Sequence, residues 1–153
     1  MIDFLNKIFD SKIYTDKKYL NLDIKYPEKK NNYLLISSLL YLIPTYLLYK
    51  KKIYILSLFL CLTSICSTIS DNIIKNSIFV LLDRYIAIIC YLLLIYYAFK
   101  NNISFIEIIF LLLLTLYFLY KSRISKDYNE YVKNHIIWHI ISMSVIIYLV
   151  YKF

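Results

Sequence analysis

Five long apolar runs, parted by short clusters rich in Lys and Asn, leave this chain few ways to fold. They cover Tyr33–Tyr49, Ile53–Ser70, Ile78–Phe99, Ile103–Tyr120 and Tyr131–Tyr151. Each comes close to the ~20 residues with which a helix crosses about 30 Å of hydrocarbon. A soluble fold fails on quantity. Of the 153 residues 61% are hydrophobic, more than one small core can hide, because a domain of this size still leaves much of its surface in water. Tyr residues gather near the run ends, where an aromatic belt places them. The many β-branched and aromatic residues do not argue for strands: a bias to Lys, Asn, Ile and Tyr looks like AT-rich coding, which inflates their number. The expectation is an all-α, polytopic transmembrane helix bundle of about five spans, formed by residues 33–153 and preceded by a polar segment, residues 1–32.

Within the polar segment, Ile2, Leu5, Phe9 and Ile13 share a helical face and Lys7, Asp10 and Lys12 lie elsewhere. An amphipathic helix in the membrane interface and a solvated tail both fit this pattern, and Pro27 would end such a helix. Met1–Lys18 has no continuous apolar stretch of the kind a cleavable signal peptide requires. Pro44 falls inside the first run, where a membrane helix tolerates it as a kink, and Lys50, Lys51 and Lys52 end that run. Linkers are very short except Lys121–Glu130, so successive helices should be antiparallel neighbours.

The formal charge of +8 would suit nucleic acid, but the Lys residues lie in the amino-terminal segment and at run ends, facing water and lipid phosphates. No recognition helix or zinc-finger spacing accompanies them, so the expected partners are membrane lipids and not nucleic acid. Cys61, Cys66 and Cys90 all lie inside apolar runs without C-x-x-C spacing and read as small hydrophobes. Alternating directions put the end of the second run and the starts of the third and fifth on one membrane side. Polar residues concentrate there. Lys75, Lys121, Arg123, Lys126, Lys133 and the basic amino-terminal segment share that side; Lys50, Lys51, Lys52, Lys100 and Lys152 take the other. Counting Lys and Arg near the spans slightly favours the polar side as the cytoplasmic one.

His135 and His139, the only two histidines, are four apart in the fifth run and therefore on one helix face with Tyr131 and Ser142, Trp138 adjacent. At 1.5 Å per residue they lie roughly 6 and 12 Å deep if that helix begins at Tyr131. Asp83, roughly 7–8 Å inside the third run, has comparable depth. A carboxylate there marks a functional site by default; an ion pair with Lys75 or Lys133 is the structural alternative. Its neighbour Arg84 does not share its face and can extend outward. Two imidazoles and one carboxylate are a sufficient protein ligand set for catalytic zinc, leaving a fourth position for water. On the second run Ser57, Cys61, Ser64, Ser67, Thr68 and Asp71 recur at helical spacing. Such a stripe lets membrane helices approach closely, while Asp71 at its end either faces water beside Asn72 and Lys75 or belongs to the polar site. Glu107, near the opposite face, is explained by interfacial solvation.

Asp83-Arg84-Tyr85 matches the D-R-Y motif of rhodopsin-like receptors, but there the motif closes the third of seven helices and here it opens a span. A second resemblance covers more positions. Ser67 with Asp71 at the end of one helix, Leu82-Asp83 near the start of the next, and His135-Ile136-Ile137-Trp138-His139 on the last resemble the CREST superfamily of alkaline ceramidases, progestin/adipoQ receptors and GPI-lipid remodelling proteins. The resemblance implies a membrane-embedded, zinc-dependent hydrolase acting on a lipid amide or ester. It implies that His135, His139 and Asp71 hold zinc, that Asp83 orients water and that Ser67 assists at the carbonyl oxygen. Asp71 stands where the family has its first histidine; a one-residue shift puts Asn72 there and Thr68 in place of Ser67. The chain also has five runs where the family has seven spans. The alternative is a non-catalytic membrane protein, lipid-binding or scaffolding, whose polar stripes hold helices together by hydrogen bonds.

Overall fold

A computed structural model describes residues 31–73, 77–125 and 128–153. The stretch Ile2–Ile13, Pro27, Lys75 and Lys126 lie outside the described residues, as does the side chain of Asn72. The described chain is helical with no strand: α1 (Asn32–Leu39), α2 (Leu42–Lys50), α3 (Tyr54–Thr68), a π-helical turn (Ile69–Ile73), α4 (Ser77–Lys100), α5 (Phe105–Arg123) and α6 (Tyr128–Lys152). Taken with their continuations they make five helices long and apolar enough to cross a membrane, the first being Asn32–Lys50 and joining α1 to α2.

Local chemistry sets the ends. Asn31 caps α1, its side-chain oxygen accepting from the backbone N–H of Tyr33 at 2.9 Å and of Leu34 at 3.3 Å. The break between α1 and α2 lies one turn before Pro44, whose ring crowds the Leu40 carbonyl and which has no N–H to give it. That carbonyl accepts instead from Ile43 N–H at 3.1 Å, tightening the chain at the break. Without glycine, the tight turns on the side away from the histidines use Lys52 (φ 63°) and Asn102 (φ 57°) in the left-handed conformation. Both turns are Schellman motifs: Ile53 N–H reaches Leu48 O and Lys52 N–H reaches Tyr49 O, as Ile103 reaches Ala98 and Asn102 reaches Phe99, each at 3.0 Å.

α6 is the hub, packed against α1, α2, α4 and α5, while α3 packs on α1, α2 and α4. Successive helices are neighbours as expected, with one qualification: α4 and α5 touch only lightly. An apolar crevice between them and α6 is lined by Leu94, Ala98, Ile108, Val145 and Leu149. Leu48, Leu56, Leu60, Leu94 and Val150 fill the core, whereas Leu58, Leu92, Ile106, Phe110 and Leu113 face outward. A helical surface so apolar is suited to lipid rather than water. On the outward end of α5, Glu107 does more than meet solvent: it accepts from Tyr148 Oη at 2.7 Å and Lys152 Nζ at 2.6 Å, tying α5 to α6.

Candidate metal centre

The i, i+4 spacing of His135 and His139 does what helical geometry requires, stacking the two rings edge-to-face with centroids 4.5 Å apart. Both are buried, at 3% and 1% exposure, with Tyr131 and Ser142 on the same stripe. Trp138 packs at 5.0 Å from the His135 ring and 4.9 Å from the His139 ring, and Tyr41 meets His139 edge-on at 5.5 Å.

Asp71 joins them from the end of the second span. The chain there runs as a π-helical turn, Ile69–Ile73, and the carboxylate lies in the bundle beside His135, not at the water-facing position open to it on sequence. Asp71 Oδ2 lies 3.1 Å from His135 Nε2, with the two side chains 9% and 4% exposed. One ligand atom each from Asp71, His135 and His139 can be chosen so that all lie within 4.8 Å of one another. Zinc bonds of ~2.0–2.1 Å in a tetrahedron separate ligand atoms by about 3.3 Å, so a small inward movement suffices for this trio.

Ser67, one turn before Asp71, sits between the carboxylate and the second histidine. Its single hydroxyl proton has three neighbours able to take it: Asp71 Oδ2 at 3.2 Å, Ser38 Oγ at 3.3 Å and His139 Nε2 at 3.5 Å. Ser38 already donates to Leu34 O at 3.0 Å. Asp83 adds another acceptor. Its Oδ1 is buried with no hydrogen-bond partner among the described residues, and its side chain lines the same small cavity as Ser67, Trp138 and His139. That cavity measures about 20 Å³, room for one water, and continues against Tyr91, Leu94 and Ile146 into apolar surroundings. The charges of Arg84 and Arg123 also act on this layer, on Asp83 and, for Arg123, on Asp71. The residues present fit a metal of zinc's preferences: two imidazoles and a carboxylate, buried, with each histidine held from behind.

All five residues expected from sequence therefore share one layer: Ser67, Asp71, Asp83, His135 and His139. Lys133 is exposed and forms no salt bridge with Asp83. Arg84 departs from expectation: at 8% exposure it is buried in the bundle instead of extending outward. The rest of the serine stripe packs helices. Ser57 donates to Thr45 O and Ser64 to Ser38 O, both at 2.9 Å, joining α3 to α2 and α1.

Two contributors escaped the sequence. Ser37 Oγ stands 2.9 Å from His139 Nδ1, and Ser122 Oγ stands 2.9 Å from His135 Nδ1. Ser37-Ser38 is a polar pair inside the first apolar run and Ser122 follows the fourth; a search for hydroxyls at the depth of the histidines would have raised both. No protein-family model matches this chain, and neither curated proteins nor solved structures show significant similarity to it.

Proposed function

We propose that this protein is a membrane-embedded, zinc-dependent hydrolase of a lipid amide or ester, a short ceramidase-like relative of the CREST superfamily. One observation carries the reading: a carboxylate from the second span and two imidazoles from the fifth converge beside Asp83, whose Oδ1 has no hydrogen-bond partner among the described residues, at a cavity with largely apolar walls. Asp71, His135 and His139 would hold the ion. Bound zinc supplies Lewis acidity, polarising a carbonyl and making water a competent nucleophile at neutral pH.

The chain's own groups divide the remaining work. Asp83 Oδ1 would accept a hydrogen bond from a water placed in the cavity and take its proton. Ser67 turns its hydroxyl toward the substrate's carbonyl oxygen, using the proton that three acceptors now share. Trp138, Leu94 and Ile146 keep bulk water from the reacting group. The site opens toward the cytoplasmic leaflet on the distribution of Lys and Arg.

The test is elemental analysis and lipid hydrolysis, run together on detergent-purified protein and a His135→Ala/His139→Ala variant. Near-stoichiometric zinc and release of fatty acid from an amide or ester lipid, both lost in the variant, are expected. Failure of the wild type to take up zinc after loading would remove the enzyme's centre. A second reading, in which the layer is non-catalytic and binds helices together, is favoured by the His135–Asp71 pair, which joins the second and fifth spans at 3.1 Å. It requires that chelator leave thermal stability unchanged.

A further inference from the structure

The cavity at the layer and the apolar crevice between α4, α5 and α6 have two walls in common, Tyr91 and Leu94. On α4 the residues lining one or the other include Asp83, Ala87, Tyr91, Leu94 and Ala98. Their intervals of three and four make a single helical stripe. It starts at the Asp83 carboxylate and is wholly apolar from Leu94 onward. α6 faces it with a matching order: His139 at the layer, then Val145 and Ile146, then Leu149. At 1.5 Å per residue the stripe runs roughly 16 Å from Asp83 to Leu94 and roughly 22 Å to Ala98. It ends there, where Ile103 N–H closes the turn on Ala98 O at 3.0 Å and Ala98 is fully buried.

A track polar at one end and apolar at the other suits an amphiphile. A partner helix is ~10–12 Å across, too wide for a crevice of about 20 Å³ between packed helices. Outside the bundle at this depth lies hydrocarbon. α4 and α5 touch only lightly, and a chain one methylene thick needs the least parting of them. The chains of one leaflet reach about 15 Å, half of a ~30 Å core, which from Asp83 is the level of Leu94. We propose that this track seats one straight hydrocarbon chain of a bilayer lipid, its polar end at the Asp83 layer, and that Ala98 sets the greatest chain length accepted. The Ala98 methyl is the smallest side chain in the crevice, and a larger one there stops a long chain near Leu94. Selection comes from fit, because hydrocarbon gains little by leaving other hydrocarbon. Placing a scissile group beside Asp83 rests on the hydrolase reading above; the seating of the chain does not.

The probe is a fatty acid with a diazirine at its methyl end, in dodecanoyl and octadecanoyl lengths, photolysed with the full chain in lipid nanodiscs. Labelling displaced by excess unlabelled octadecanoic acid is expected, around Leu94 with the short probe and around Ala98 with the long one. Ala98→Phe should weaken displacement by octadecanoic acid about 10-fold or more and leave that by dodecanoic acid unchanged. Leu149→Ala, which widens the opposite wall, should move the octadecanoyl preference the other way, an effect that a misfolded variant does not produce. Labelling that the unlabelled acid does not displace, or that falls on the outward faces of α4 and α5, overturns the track. Displacement unaltered in both variants overturns the length limit. Displaceable labelling without zinc uptake or hydrolysis overturns the hydrolase reading and leaves the track standing; hydrolysis without displaceable labelling does the reverse.

Discussion

Ser37 on the first helix and His139 on the last meet at 2.9 Å across a separation of 102 residues, and both are buried. Through that contact α1 takes part in a site whose other members lie on the second, third, fourth and fifth spans. Removing the hydroxyl takes from a buried imidazole nitrogen its contact with Ser37. Ser37→Ala should cost about 1–3 kcal/mol of stability, measured by denaturant unfolding in detergent, and Ser37→Thr much less.

Metal removal should matter in proportion to affinity. A chelator is expected to lower the melting temperature of the wild type, because an ion at 100 times its dissociation constant stabilises the folded state by about 2.7 kcal/mol. In Asp71→Ala and in the double histidine variant the chelator should shift nothing. An equal shift in all three proteins would place any bound metal elsewhere.

Asp83 is separable from the ligand trio. Asp83→Asn keeps the side chain's size and removes its capacity to take a proton. Turnover should fall by about 100-fold or more while zinc content stays at the wild-type level. Unchanged turnover would remove Asp83 from the chemistry.

The turn at Lys52 holds a side chain in a conformation that glycine adopts without cost. Lys52→Gly should stabilise the protein by about 1 kcal/mol, and Asn102→Gly by less, since Asn tolerates the left-handed region better. Zinc content should be unaffected in both, because the two turns lie on the membrane face away from the histidines. Thermal unfolding of the two variants beside the wild type decides it.

The contact of Glu107 with Lys152 and Tyr148 joins the last two helices at a partly exposed edge. Glu107→Gln should leave zinc content and hydrolysis unchanged, with at most a small drop in melting temperature that high salt mimics. A loss of metal in this variant would mean that the two ends of α6 are coupled.

Much of this architecture is written locally. Runs of about twenty apolar residues specify spanning helices because a backbone in hydrocarbon must satisfy its own hydrogen bonds. A spacing of four places His135 over His139 whatever surrounds them, and alternation of direction puts Asp71, Asp83 and the histidines on one membrane side. These rules left Asp71 open to face water or the polar site, and its pairing with His135 is decided by how the second and fifth spans pack. They could not select Ser37 and Ser122 from the chain's many hydroxyls, or bury Arg84, because such partners are chosen by helices packing at long sequence separation. The sequence by itself determined five spans, their alternation and a paired-histidine face, all of which follow from interactions within a few residues. Tertiary structure alone decided which serine stands behind each ring and which carboxylate faces it, since those distances depend on where four separate helices come to rest.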